Sequence, residues 1–458
     1  MTKVITYGTF DLFHRGHLNI LRKAKELGDY LVVGVTSEQY DIDRGKLNVC
    51  QSLSERIENI RATGLADEII VEEYVGQKIK DIKELGIDKF VIGSDWLGKF
   101  DYLKEYCEVI YTKRTQGVSS TELRVENNPI IKLGVLGNGR IAKRFVQESK
   151  YVSGIDINVV CGRNRGRVED FCRDLDINSC KTLDELDEFF SSIDAVYIAL
   201  PHSLHYQYAK KALLAGKHVL CEKPFTLKES QTRELLDLAE KNQLIIQEAI
   251  KTAYAPCFER LVHVAKSGVI GEIKQVEAPF TRLTLNNGLR EFDSQLGGGS
   301  LSEFGSYPLC LFAKLLGTEP KDVLYTTQFD HKKDVDVFTN VELIYPSAIA
   351  SATLALEAKK ENCCVITGTR GYIFVPAPWW KTEYFEIKFE NLNETQKVFC
   401  KFEGDGLRYE IADFVKSING NRLSKKILKE EMVFISKIID DFYQKIGTSE
   451  RKGIRFLI

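Results

Sequence analysis

His14 and His17 lie three residues apart in Thr9-Phe10-Asp11-Leu12-Phe13-His14-Arg15-Gly16-His17, directly after a short apolar run. At the start of a helix that spacing turns both imidazoles to one side. Gly16 lets a ligand approach the backbone, and the helix N-terminus adds amide donors and the positive end of a dipole. The arrangement suits a triphosphate. Attack at an α-phosphate moves negative charge onto the phosphoryl oxygens and the departing pyrophosphate, where imidazole donors can meet it. Further along, Arg114-Thr115-Gln116-Gly117-Val118-Ser119-Ser120-Thr121 places an arginine, hydroxyls and free amides ahead of a helix, a second phosphate cradle. Gly93-Ser94-Asp95-Trp96 ends another apolar run, where open α/β sheets bind ligands.

A different chemistry begins at Gly137-Asn138-Gly139-Arg140-Ile141-Ala142. The first glycine permits a tight turn, the second admits a pyrophosphate, and the small third residue packs helix on strand. The strand that follows ends in Gly162-Arg163-Asn164-Arg165-Gly166-Arg167, with no carboxylate to accept from a ribose 2′-hydroxyl. Arginine pairs with a 2′-phosphate, so NADP(H) is expected over NAD(H). Arginines that stack on adenine or face solvent would suit either cofactor.

These motifs need strands and helices to hold them. Residues 4–7, 30–35, 68–71, 89–92 and 109–111 read as buried strands, with amphipathic stretches at 16–27, 54–63 and 77–85 between them. That alternation predicts a parallel sheet covered by helices on both faces. Ser119-Ser120-Thr121-Glu122 starts a further helix. Glu126-Asn127-Asn128-Pro129 is the linker candidate, and a second strand–helix alternation follows to about residue 249. Beyond it, 274–280, 323–329, 341–345, 348–356, 364–367 and 385–389 read as strands of an open, largely antiparallel sheet. A helical region over 407–445 closes the chain. The expected fold class is α/β: a Rossmann-like domain over 1–126, a dinucleotide-binding Rossmann domain over 130–249, and an α+β open-sheet domain over 250–458.

A net charge of -2 over 458 residues supplies no basic field for nucleic acid. No apolar run approaches the ~20 residues of a membrane span. The chain starts in a strand pattern and not a signal peptide, and the 11 cysteines show no zinc spacing. Buried, reduced thiols in a cytoplasmic protein are expected.

Over residues 1–124 the motifs, together with Tyr7-Gly8-Thr9 and Gly28-Asp29-Tyr30, resemble the cytidylyltransferase family, most closely its glycerol-3-phosphate branch. The resemblance implies CTP, carried with Mg²⁺, as the nucleotide, with His14 and His17 as the activating pair. It also implies Thr9, Phe10, Arg114, Thr115, Val118 and Ser119 around that nucleotide, and Gly16 at the helix start and Asp95 at its strand end are expected beside them. Lys46 and Lys78 fall near lysines that hold phosphates in the family, and Arg56 matches the first of two family arginines. Where the second is expected the chain reads Thr63-Gly64-Leu65, which leaves two readings: Arg61, one helical turn earlier, substitutes for it, or the acceptor differs from glycerol 3-phosphate. An adenylyltransferase with another acceptor stays open.

From residue 130 onward, Ala199-Leu200-Pro201-His202-Ser203-Leu204-His205, Glu222-Lys223-Pro224, Glu248-Ala249 and 297–308 resemble the family of glucose–fructose oxidoreductase, inositol dehydrogenase and MocA proteins. The resemblance implies Lys223 beside the nicotinamide and the reacting carbonyl, Tyr307 as proton donor, and Glu303, where aspartate is usual, orienting Lys223 or the substrate. Gly137, Gly139, Arg140, Ile141, Arg163, Pro201, His205 and Glu222 are the expected cofactor contacts.

The fusion implies two steps of one pathway: reduction of a sugar phosphate to an alditol phosphate, then CMP transfer giving a CDP-alditol for capsule or teichoic acid-type polymers. Two alternatives stand beside it. The oxidoreductase acts on the nucleotide-linked product, or one domain is non-catalytic and serves binding or oligomerisation. Both resembled families imply a homo-oligomer.

Overall fold

The computed structural model describes the chain except residues 14, 44–48, 50, 75, 113–129, 285–287, 331, 401, 448–453 and 457–458, and gives only the backbone at 42, 43, 95, 392, 447 and 454–456. It resolves into two compact units, Met1–Ile130 and Ile131–Ile458. The helix expected from Ser119 and the linker at 126–129 lie outside the described residues.

In the first unit, strands β1 (Lys3–Gly8), β2 (Tyr30–Thr36), β3 (Glu68–Glu72), β4 (Lys89–Gly93) and β5 (Glu108–Thr112) form a sheet in the order β3-β2-β1-β4-β5. Every pairing is parallel. Alternate residues feed opposite faces: Val4, Leu31, Val33 and Val91 pack with Leu21, Ala24 and Ile60, while Ile5, Val32 and Phe90 pack with Ile82 and Leu103. The order reverses between β1 and β4, and such a reversal opens a crevice at the strands' carboxyl ends. The helix Leu53–Arg61 starts in a capping box, with Ser52 accepting from the Glu55 amide and Glu55 accepting from the Ser52 amide.

The second unit begins with β6 (Ile131–Leu136), β7 (Ile155–Gly162), β8 (Ser179–Thr182), β9 (Ala195–Ile198), β10 (His218–Glu222) and β11 (Ile246–Ala249). Their order, β11-β10-β9-β6-β7-β8, is that of a doubly wound dinucleotide-binding sheet. A mixed sheet follows: β12 (Ile273–Glu277), β13 (Phe280–Thr281), β14 (Asp322–Asp330), β15 (Val335–Ile344), β16 (Ile349–Ala355), β17 (Cys364–Gly368), β18 (Gly371–Val375), β19 (Tyr384–Phe389), β20 (Gln396–Phe399) and β21 (Ile454–Phe456). Most neighbours run antiparallel, but β16 pairs in parallel with both β12 and β13, and β21 with β14.

Some expectations need correcting. The single strand over 274–280 is two, β12 and β13, because Pro279 interrupts the ladder. The strand expected at 341 begins six residues earlier, at Val335. The polar Asp336 hides this start, being buried where it accepts from Ser300 Oγ, the Leu301 amide and Thr339 Oγ1. The closing helical region is two helices, Leu407–Asn419 and Lys429–Gly447. Cys257 and Cys400 form a disulfide with Cα atoms 5.4 Å apart, so the reading of every cysteine as a thiol fails at this pair. No described helix is long and apolar enough to cross a membrane.

Candidate functional site

In the first unit, β1 delivers Thr9, Phe10 and Asp11 to the crevice where strand order reverses. Phe10 sits at φ 54° with its side chain buried, and its ring meets the His17 ring edge-on at 5.4 Å. Phe13 flanks His17 at 5.6 Å. His17 and Gly16 occupy the first turn of the helix Arg15–Glu26. Asp95 lies in the short turn after β4. His14, Lys46, Arg114, Thr115, Val118 and Ser119 lie outside the described residues.

Arg56 is wholly buried and braces this loop. Its Nη1 donates to the carbonyls of Thr9 and Thr36, 2.9 Å each, and to the Asp41 carboxylate at 3.2 Å, while Nε reaches the Gln51 carbonyl. Asp41 also accepts from Thr9 Oγ1 and Thr36 Oγ1. A buried guanidinium with four such partners shapes the loop that presents Thr9. Arg56 was expected at the nucleotide, and this geometry makes it first a holder of the motif. Lys78 is likewise committed, ion-paired with Glu72 and 4.5 Å from the Tyr7 ring centroid. Arg61 is exposed and pairs with Glu58 on its own helix.

In the second unit one cavity of about 920 Å³ joins the dinucleotide turn to the mixed sheet. Gly137, Gly139, Arg140 and Ile141 line one end. Gly137 has φ 115°, and a Cβ there would be driven into the Ala199 carbonyl oxygen. A Cβ on Gly139 would meet nothing within 4 Å, so open space lies over the N-terminus of the helix Arg140–Ser149. That is the cradle a pyrophosphate needs, and the residues fit a dinucleotide. Arg163 and Arg167 line the same cavity, and both are exposed.

At the other end, Lys223 Nζ donates to the Glu303 carbonyl oxygen at 2.8 Å and lies 3.4 Å from its carboxylate. Arg290 reaches that carboxylate at 3.1 Å. Burial alone would raise the Glu303 pKa, but Lys223 and Arg290 outweigh it and hold the group near 2. Burial and the neighbouring Arg290 push His202 well below its ordinary value. The neutral ring donates from Nδ1 to the Gly297 carbonyl at 2.9 Å and accepts at Nε2 from Arg290 at 3.0 Å. Tyr307 lines the cavity 5.9 Å, ring centroid to Nζ, from Lys223, and burial drives its phenol upward, so it stays protonated. Its hydroxyl has no hydrogen-bond partner among the described residues.

Glu222 lines the cavity floor and accepts from Tyr197 at 2.6 Å. Burial raises its pKa and lifts that of Glu248 to about 8. Pro201 lines the cavity; His205 does not. The His205 ring nitrogens face the carbonyls of Pro224 at 2.8 Å and Leu200 at 2.9 Å, and burial depresses its pKa to about 4. It was expected to touch the cofactor, and instead it packs between the two loops that frame the cavity, the single N–H of its neutral ring bonding one of these carbonyls. Sequence reasoning missed His202, Lys251, Arg290 and Trp380. His202 stood inside the quoted Pro-His segment; the others belong to no motif.

Comparison with known proteins assigns each unit to a family. Residues 5–128 match the family model "Cytidylyltransferase-like". Glycerol-3-phosphate cytidylyltransferase of Bacillus spizizenii is 51% identical over 124 residues, 27% of this chain and 95% of that protein. Residues 131–250 match "Oxidoreductase family, NAD-binding Rossmann fold", and 258–374 match "GFO/IDH/MocA C-terminal domain". The chain is a cytidylyltransferase fused to a Gfo/Idh/MocA oxidoreductase. Along the oxidoreductase unit, scyllo-inositol 2-dehydrogenase (NADP(+)) of Bacillus subtilis is 27% identical over 327 residues, 69% of this chain and 98% of that protein. The fold is shared with the 3-ketoreductase KijD10 of Actinomadura kijaniata, solved with NADP and TDP-benzene. That structure has a TM-score of 0.65 and 23% identity, and the match covers 71% of this chain and 98% of that one. Both units thus belong to enzyme families.

Proposed function

We propose that the oxidoreductase unit reduces the carbonyl of an open-chain sugar phosphate with NADPH. The cytidylyltransferase unit then transfers CMP from CTP, carried with Mg²⁺, to the resulting alditol phosphate, releasing pyrophosphate and forming a CDP-alditol for a capsule or teichoic acid-type polymer. The observation that carries the reading is the shared cavity, in which Lys223 and the unengaged Tyr307 hydroxyl open onto the same space as the dinucleotide turn.

When bound, the nicotinamide supplies a hydride. The chain's own residues supply the rest. Gly137, Gly139, Arg140, Ile141 and Pro201 seat the dinucleotide, and Arg163, with Arg167 beside it, meets the 2′-phosphate. The ammonium of Lys223, held by Glu303, faces charge developing on the carbonyl oxygen. Tyr307 gives that oxygen its proton. Glu222 forms the floor, its pKa raised by burial against the pull of Lys223. NADP specificity is further supported by the NADP-dependent relative and the NADP-bound neighbour.

In the cytidylyltransferase unit, His14 and His17 meet charge on the phosphoryl oxygens. Thr9, Phe10, Gly16, Asp95, Arg114, Thr115, Val118 and Ser119 surround the nucleotide, Arg56 fixes the loop, and Lys46 and Lys78 stand near the phosphates. The division at 1–126, 130–249 and 250–458, a homo-oligomeric state and a cytoplasmic location belong to the same proposal.

A coupled assay tests it, with CTP, Mg²⁺, NADPH and a panel of keto- and aldo-sugar phosphates, following absorbance and pyrophosphate together. NADPH oxidation without CTP, with pyrophosphate only after reduction, supports the stated order. NADPH oxidation that requires CTP would instead make the CDP-linked compound the oxidoreductase substrate.

A further inference from the structure

Ten lysines and arginines line the oxidoreductase cavity against two glutamates. Arg140, Arg144, Arg163 and Arg167 belong to the dinucleotide end. Of the rest, Lys223 and Arg290 are answered by Glu303, and Lys381 by Asp405 at 2.7 Å. Lys251 sits among the carboxyls of Asp405, Glu410 and Glu222, which act on its charge. Arg282 and Lys359 remain, exposed, with no side-chain hydrogen bond or ion pair among the described residues.

These two cations come from separate segments that a buried clamp locks together. The Thr281 amide donates to Asn362 Oδ1 at 2.9 Å, Asn362 Nδ2 returns a bond to the Thr281 carbonyl at 3.0 Å, and the Lys360 amide donates to Thr281 Oγ1 at 2.8 Å. Thr281 and Asn362 are each 2% exposed. The Arg282 amide is bound to the Ala355 carbonyl. The backbone next to each cation is therefore fixed, and only the long side chains are free to reach a ligand. Two residues before Arg282, the Phe280 ring stacks on Trp380 at 3.6 Å and lies 5.0 Å from Tyr307. Phe280, Trp380 and Tyr307 thus form an aromatic wall of the same cavity, and Phe280 joins the segment that carries Arg282 to Tyr307.

We propose that Arg282 and Lys359 seat the phosphate monoester of the carbonyl substrate, at the end of its carbon chain remote from the carbonyl. This rests on the reading of the cavity as a sugar phosphate reductase site. Two unanswered cations match a dianion, and guanidinium and ammonium both donate to phosphate oxygens. The aromatic wall then lies along the carbon chain. A phosphate bonded next to the carbonyl would leave this seat empty.

The test uses the full-length protein with NADPH bound, whose fluorescence reports this cavity and not the cytidylyltransferase unit. Ribitol 5-phosphate and sorbitol 6-phosphate are titrated against ribitol and sorbitol, in the wild type, R282Q, K359Q and the double variant. At least one phosphorylated probe is expected to bind about 10- to 100-fold more tightly than its parent alditol. The double variant should lose that preference while keeping its affinity for NADPH. A wild type with no phosphate preference, or a preference that survives in the double variant, overturns the proposal. Failure of the reductase reading shows separately, as no NADPH oxidation with any sugar phosphate, because the binding preference needs no turnover.

Discussion

Replacing Glu303 with Gln keeps the shape of the side chain and removes the one carboxylate shared by Lys223 and Arg290. An ordinary glutamate titrates near 4.5, and this one is held near 2. That difference corresponds to about 3 kcal/mol of folding stability at neutral pH, close to the cost of breaking a buried pair by removing one partner. The sign follows from the depressed value. The contribution is complete above about pH 5 and is lost as pH falls toward 2, so roughly half of it remains at pH 3. For a unit of about 330 residues, about 3 kcal/mol lowers the midpoint of thermal unfolding by about 4 °C. Calorimetry of the cofactor-free protein from pH 7 to pH 3 measures both quantities. The gap between wild type and Glu303→Gln should be widest at pH 7 and narrow by about half at pH 3. NADPH oxidation should fall less than in a Lys223 variant, because the Glu303 carbonyl still holds Nζ at 2.8 Å. A variant as stable as wild type at pH 7, or a gap that does not narrow in acid, refutes the assignment of Glu303 as the anchor of this cluster.

Other substitutions separate the two sites. Lys223→Ala should abolish NADPH oxidation, by at least about 100-fold, and leave pyrophosphate release from CTP and a supplied alditol phosphate unchanged. His17→Ala should do the reverse, and loss of both activities in a folded variant would sink the two-site assignment. Arg163→Ala should raise the Kd for NADPH about tenfold while sparing NADH, measured by cofactor fluorescence; equal losses would remove the 2′-phosphate role. Gly137→Ala combines φ 115° with a Cβ aimed at the Ala199 carbonyl. It should cost several kcal/mol or prevent cofactor binding, and near-wild-type NADPH affinity would show that the turn relaxes.

What was legible in the sequence was local. Gly137 announces its turn because only glycine takes that backbone angle without strain. The β-branched runs of β1, β2 and β4 announce a sheet buried on both faces. The Glu-Lys-Pro and Gly-Gly-Gly segments, 80 residues apart at Lys223 and Glu303, were both visible, and the structure closes them onto one bond. Residues assembled by tertiary packing carried no such mark. Arg290 is a lone arginine in a short 3₁₀ turn, and its meaning comes from Glu303 and His202 folding against it. Lys251 and Trp380 read as ordinary residues until the helix and sheet layers bring them to one cavity. The Cys257–Cys400 bond spans 143 residues, a separation no spacing rule detects. The start of β15 escaped because the hydrophobic pattern treats Asp336 as a break, whereas its hydrogen bonds make it a buried anchor.

His205 carries a consequence for how the oxidoreductase site uses its binding energy. Its buried ring fills the space between the loop of Leu200 and Pro201 and the loop of Lys223 and Pro224, with its single N–H bonded to one of the two carbonyls it faces, so Pro201 and Lys223 are held in one frame before any ligand arrives. Little reorganisation is then required of the protein at the moment of reaction. The entropic cost of alignment falls mainly on the substrate, and a charged group anchored far from the reacting carbon is an effective way to offset it.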